Sequence, residues 1–83
     1  MSHYGPILYH RVLSLECARV RRALRRFGVE VELREVMLSQ RHKEELREVA
    51  GEVEVPCLVI SGTVVCRAEE IEKYLRLRYG ERS

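Results

Sequence analysis

Apolar positions along this chain change period several times, and each change marks an element. Ile7-Leu8-Tyr9-His10, after a Gly5-Pro6 lead-in, is a short run of the kind that forms a buried strand. From Leu15 the spacing becomes helical. Cys17, Val20, Ala23, Leu24 and Phe27 share a face, arginines take the other, and Gly28 supplies a stop. Residues 29–36 then alternate apolar and polar side chains with a period of two, as a strand does. A loop with Met37 and Leu38 leads to Ser39, an N-cap, and to a second helix, Gln40–Ala50, ended by Gly51. Its apolar stripe (His42, Leu46, Val49, Ala50) is thin, with Arg41 and Glu45 at helical i,i+4 spacing. Cys57–Ile60 and Thr63–Cys66 flank Ser61-Gly62, the pattern of a β-hairpin with a two-residue turn. A third helix, Ala68–Tyr79, sets Ala68, Ile71, Tyr74, Leu75 and Arg78 in register before Gly80.

The predicted order is β-α-β-α-β-β-α. The right-handed crossover rule makes the first β-α-β a parallel pair, and the hairpin adds antiparallel strands. An α/β fold follows, with a four-stranded mixed sheet flanked by three helices in the thioredoxin-like arrangement. At 83 residues, 46% apolar and 34% charged, the chain is expected to form a single globular domain over 1–83. It has no internal repeat and no linker.

Other features narrow the function classes. No run approaches the roughly 18–20 apolar residues that span a bilayer, so no membrane partner is expected. The opening Met-Ser-His-Tyr-Gly-Pro lacks the basic and apolar regions of a signal peptide, which makes a cytoplasmic location the expectation. Three cysteines without paired spacing argue against a disulfide framework, and the lack of close Cys/His pairs argues against a metal site. Thirteen of the 15 basic residues are arginine, and Arg19, Arg21, Arg22, Arg25 and Arg26 crowd one helix. A solvated helix face accounts for them better than a nucleic-acid footprint, because acidic residues nearly balance the charge and no aromatics interleave. Nothing in the sequence speaks to oligomeric state.

Candidate chemistry begins at Ser14-x-x-Cys17, where a strand gives way to a helix. A helix N-terminus gathers unpaired N–H groups and stabilises an anion such as a thiolate. Thiol–disulfide enzymes place their attacking cysteine there, but here the first position is Ser14. Ser14 can cap the helix, donate a hydrogen bond to a ligand's thiolate, or do both. Cys17 is either a small core residue or, if exposed, a group able to form a mixed disulfide. Cys57 and Cys66 read as strand core. Pro56, at the head of a strand-like run, is either a trans residue starting the strand or a cis residue that exposes the Val55 backbone to an extended peptide.

These residues, in this order, resemble the glutaredoxin family and the related N-terminal domain of glutathione transferases. Ser14-x-x-Cys17-x-Arg19-Val20-Arg21 is similar to the glutaredoxin Cys-x-x-Cys with its following basic residues. It is also similar to the Ser-x-x-Cys/Ser-x-Arg-Val-Arg of serine-type transferases. Val55-Pro56 stands at the family spacing for a cis-proline, and Ala68-Glu69-Glu70-Ile71-x-x-Tyr74-Leu75 resembles the transferases' Ser-x-Ala-Ile-x-x-Tyr-Leu. The likeness covers Ile7 to Tyr79, and the pattern also resembles short bacterial proteins that keep this domain without a helical second one.

The resemblance implies a glutathione site. The cysteinyl part would pair with the Val55 backbone beside Pro56. The γ-glutamyl carboxylate would meet the amides of Ala68 and Glu69, with Glu69 or Glu70 holding the ammonium group. Arg11, with Lys43 or Arg41, would take the glycine carboxylate. Departures from the family pattern are as informative. Ser14 replaces the glutaredoxin nucleophile, Arg67-Ala68 replaces the transferases' Glu-Ser pair, and Glu16 adds negative charge near the thiol position. Three functions follow as expectations: a glutaredoxin-like thiol–disulfide oxidoreductase, weakened by Ser14 and using Cys17; a transferase-like domain using Ser14; or a non-catalytic binding module. Glutathione or another thiol or disulfide is the expected partner.

Overall fold

Strand β1 (Ile7–His10) pairs on both edges. It runs parallel to β2 (Glu32–Glu35), with Ile7 opposite Glu32 and His10 opposite Glu35. On its other edge it runs antiparallel to β3 (Cys57–Ile60), with Leu8 opposite Leu58 and Tyr9 opposite Cys57. Strand β4 (Thr63–Cys66) completes the sheet in the order β2-β1-β3-β4. This is a computed structural model, and it describes residues 5–80. The leading Met-Ser-His-Tyr, part of the opening that lacks signal-peptide regions, lies outside the described residues.

Because successive strand residues point to opposite faces, the central strands feed two cores. Leu8, Leu58 and Ile60 meet helices α1 (Leu15–Arg26) and α3 (Ala68–Tyr79) through Val20, Ala23, Leu24, Ala68, Ile71 and Leu75. On the other face Tyr9 and Cys57 pack with Val36 and with Leu46 of helix α2 (Gln40–Ala50). Leu8, Leu46, Leu58, Ile71 and Leu75 are each fully buried. Each such side chain contributes roughly 1.5–3 kcal/mol relative to exposure. Arg19 of α1 and Glu72 of α3 join in a two-bonded ion pair, with both contacts at 2.9 Å.

The chain follows the predicted element order, with three differences in detail. The alternation over 29–36 forms a strand only from Glu32 to Glu35. Before that, Val29 is still held by α1, its amide donating to the Leu24 carbonyl at 2.9 Å. In α2 only Leu46 of the expected stripe is fully buried, and Val49 is 45% exposed, because α2 rests on the sheet along a narrow line. In α3, Arg78 is exposed and lies over the Tyr74 ring at 5.8 Å instead of entering the core.

Turn chemistry is as the composition requires. Ser61 and Gly62 adopt φ of 51° and 77°, the doubly positive geometry that matches a two-residue hairpin to strand twist. Antiparallel and parallel pairing together bring the C-terminal ends of β1, β2 and β4 to the same edge as the N-terminal end of β3. The starts of all three helices follow from that edge. In open α/β sheets it is at the carboxyl ends of strands that ligands bind.

Candidate functional site at the strand ends

Four segments converge on this edge: the loop from β1 into α1, the loop from β2 into α2, the residues leading into β3, and the turn from β4 into α3. Ser14 has extended backbone and its Oγ accepts the Cys17 amide at 3.2 Å, capping α1. The cap uses a lone pair and leaves the hydroxyl proton free to donate elsewhere. Cys17 is fully buried, and its Sγ accepts the Arg11 amide at 3.4 Å. Arg11 itself is exposed, and Lys43 is half-buried in the first turns of α2. Among the described residues neither side chain is in an ion pair, whereas Arg41 reaches Glu45 at 3.6 Å.

The Val55-Pro56 bond is cis. Pro56 is buried, and its carbonyl accepts the Arg67 amide at 2.9 Å. Val55 is half-buried, and among the described residues its backbone groups take part in no hydrogen bond, so they are open to pairing with an extended strand. The N–H groups that start α3 are also open. Side chains of Ser14 and Ser39 cap α1 and α2, but Arg67 at the α3 cap position contributes no side-chain bond. Arg67 has φ of 78° and ψ of 138°, a backbone region that favours glycine. Ala68 is buried, while Glu69 and Glu70 are exposed in the first turn.

Residues that were not among the candidate site residues hold the loops in place. The Glu35 carboxylate accepts the Val12 amide at 2.8 Å and the Leu38 amide at 2.8 Å, clamping the two loops together. Burial pushes this carboxyl up, but the amides of Val12, Leu38 and Met37 outweigh it and hold it below its ordinary value. Arg21 Nη1 sits 2.8 Å from His10 Nδ1, and Arg21 also donates to the carbonyls of Arg11 at 3.4 Å and Val12 at 3.2 Å. A guanidinium only donates, so Nδ1 accepts and the His10 proton lies on Nε2. Burial first, and then the Arg21 charge, lower the His10 pKa and keep the ring neutral. Thus Arg19 and Arg21, read in the sequence as parts of a solvated face, are instead tied to Glu72 and to the loop before Ser14. No local sequence signal could have shown this, since both contacts depend on how α1 seats on its neighbours.

A groove of about 610 Å³, lined by Arg21, Leu24, Val29, Val31 and Leu33 among others, opens beside the C-terminal half of α1, away from Ser14. Among the described residues no group of three or more His, Cys, Asp or Glu side chains is arranged to hold a metal ion. No described helix is long and apolar enough to cross a membrane.

A β-α-β unit joined to an antiparallel hairpin, with a cis-proline leading the third strand and helix starts gathered at one sheet edge, defines a thioredoxin-superfamily domain. Comparison with solved structures agrees. A glutathione S-transferase from Bombyx mori, designated unclassified 2, superposes with a TM-score of 0.80 at 21% identity, over 94% of this chain and 37% of that one. A glutathione transferase homologue from Drosophila mojavensis, with bound glutathione, matches at a TM-score of 0.79 and 24% identity, over 93% and 36%. A thioredoxin-like protein matches at a TM-score of 0.76 and 25% identity, over 87% of this chain and 96% of that one. Among curated proteins no match is found. The sequence matches the glutathione S-transferase N-terminal domain family over residues 8–83, and the chain belongs to that family. It spans a little over a third of the length of the two transferases, 37% and 36%.

Proposed function

We propose that the chain binds glutathione at the strand-end edge and that Ser14, not a cysteine, meets the ligand's thiol. The observation that carries this reading is the Ser14 hydroxyl, which caps α1 through its oxygen while keeping its proton available. A thiolate placed there gains a hydrogen bond from Ser14 and the positive end of α1. The open Val55 backbone suits the cysteinyl part of an extended tripeptide. The uncapped amides of Ala68 and Glu69 suit the γ-glutamyl carboxylate. In this reading Glu69 and Glu70 hold the ammonium group, and Arg11 with Lys43 takes the glycine carboxylate. Glutathione bound to the Drosophila mojavensis homologue, which shares this fold, supports the reading.

Burial of Cys17 favours Ser14 over thiol–disulfide exchange at the first-turn cysteine, since exchange needs an accessible sulfur. The expected setting is the cytoplasm.

Glutathione titration followed by backbone amide shifts tests the proposal. Shifts confined to Cys17, Val55, Ala68, Glu69 and their neighbours are expected. Unmoved amides at millimolar ligand would rule the site out and leave a binding module with another partner. Loss of Ser14 should raise the pKa of the bound thiol while the carboxylate contacts persist.

A further inference from the structure

Cys57 and Cys66 are directly opposed on β3 and β4. The same register sets Pro56 opposite Arg67, and the Arg67 amide bonds the Pro56 carbonyl, so that pair is of the hydrogen-bonded kind. Hydrogen-bonded and non-hydrogen-bonded pairs alternate along an antiparallel ladder, which makes Cys57 and Cys66 a non-hydrogen-bonded pair. Such pairs bring Cα atoms to about 4.5 Å and their side chains together on one face. A disulfide accepts Cα separations of about 4.4–6.8 Å, so this pair lies at the short end of the permitted range. Both thiols are free in the structure.

We propose that Cys57 and Cys66 form a reversible cross-strand dithiol–disulfide couple, oxidised by a small disulfide. The two sulfurs differ in access, and this sets the order of events. Cys66 is half-buried, while Cys57 is fully buried. Burial, followed by a hydrogen bond with Cys66, pushes the Cys57 thiol up, so Cys57 stays protonated while Cys66 reacts first. The Cys66 thiolate attacks one sulfur of the small disulfide, forming a mixed disulfide and expelling one thiolate. Cys57 then loses its proton to solvent and attacks the Cys66 sulfur, expelling the second. The protein loses two hydrogens and two electrons, and the small disulfide is reduced to two thiols. Cys66 is half-buried, so a reductant can reach the product, which suits a reversible couple rather than a permanent brace. The bond would sit between Pro56 and Arg67, one residue from each, so its state is positioned to act on the candidate site without forming part of it.

The test uses 2-hydroxyethyl disulfide, which carries none of glutathione's carboxylates and so does not depend on the proposed ligand site. After exposure, the whole chain is denatured, alkylated and digested with trypsin. Arg47 and Arg67 bound the segment 48–67, so both cysteines fall in one peptide, while Cys17 falls in another, 12–19. The expected result is a 48–67 peptide lighter by two hydrogens and without alkyl groups, restored by dithiothreitol, with Cys17 still alkylated. Cys66→Ser should abolish the mass loss. Full alkylation of 48–67, a stable mixed disulfide at Cys66 beside an alkylated Cys57, or a bond to Cys17 would each overturn the proposal. The measurement on the unaltered chain decides the matter even if a variant fails to fold.

Discussion

The backbone amide of Arg67 donates to the Pro56 carbonyl at 2.9 Å, tying the residue that opens α3 to the cis-proline that opens β3. This bond continues the β3–β4 ladder one step past the last strand pair. Arg67 has a positive φ, 78°, where the chain turns from β4 into the helix. Holding a non-glycine residue there costs of order 1–3 kcal/mol. Arg67→Gly keeps the amide and removes the strain, so thermal unfolding should show a gain of roughly 1 kcal/mol. A lower midpoint would mean that the arginine side chain contributes more than its backbone loses.

Ser14 is proposed to serve two purposes, and two substitutions separate them. Ser14→Ala removes both cap and hydroxyl and should cost about 1 kcal/mol of stability. Ser14→Gly removes the hydroxyl but remains a good cap, at a cost of a few tenths of a kcal/mol. If Ser14 meets a ligand thiolate, both variants should raise the pKa of bound glutathione's thiol equally, read from thiolate absorbance. An effect that followed stability alone would assign Ser14 to capping only.

Stability should fall in two stages on acidification. The folded state lowers the His10 pKa by burial and by the charge of Arg21, so it prefers the neutral ring. That contribution is complete above the unfolded value of about 6.5 and is lost as pH falls through the lower folded value. Glu35 and Glu72 are both held below the ordinary carboxylate value, Glu72 chiefly by its hydrogen bond from Arg19. Their contributions are complete above about 4.3 and fade as pH drops through the depressed values. Urea midpoints measured from pH 8 to roughly 3 should show both stages, and His10→Gln should erase the first.

Clamping of the two loops rests on Glu35. Glu35→Ala leaves the Val12 and Leu38 amides without their acceptor, and partial exposure limits the cost to about 1–2 kcal/mol. Hydrogen exchange should accelerate at those two amides well beyond the change in global stability. Uniform acceleration across the chain would show that the clamp has only a general structural effect.

Packing under α2 depends on one side chain. Leu46 is fully buried while Val49 is 45% exposed. Leu46→Ala should cost about 2–5 kcal/mol and Val49→Ala under about 1, by chemical denaturation. Similar losses at both positions would restore the broader stripe suggested by sequence periodicity.

Much of the architecture was legible in the sequence because each element carries its own local signal. The helical face of Cys17, Val20, Ala23 and Leu24, the Ser61-Gly62 turn and the serines at 14 and 39 act over a few residues, where periodicity and capping chemistry suffice. Strand β2 was overestimated because alternation persists in Val29 and Val31, although the hydrogen bond from Val29 to Leu24 belongs to the helix end. Ser14-x-x-Cys17 and Val55-Pro56 were visible as motifs. The isomer of the proline and the burial of Cys17 were not, since both depend on what surrounds them.

The sequence by itself determined the order of elements, the turn positions and the residue types available at the helix starts. The tertiary structure decided which of those residues meet. Arg21 reaches His10 and Arg19 reaches Glu72 only because α1 seats on β1 and α3. Glu35 reaches Val12 only because β2 lies parallel to β1. That Cys57 opposes Cys66 already follows from the two-residue turn between their strands, but the full burial of Cys57 beside a half-buried Cys66 does not. Local propensity acts through neighbours along the chain, whereas these contacts form between segments that only packing and strand register bring together.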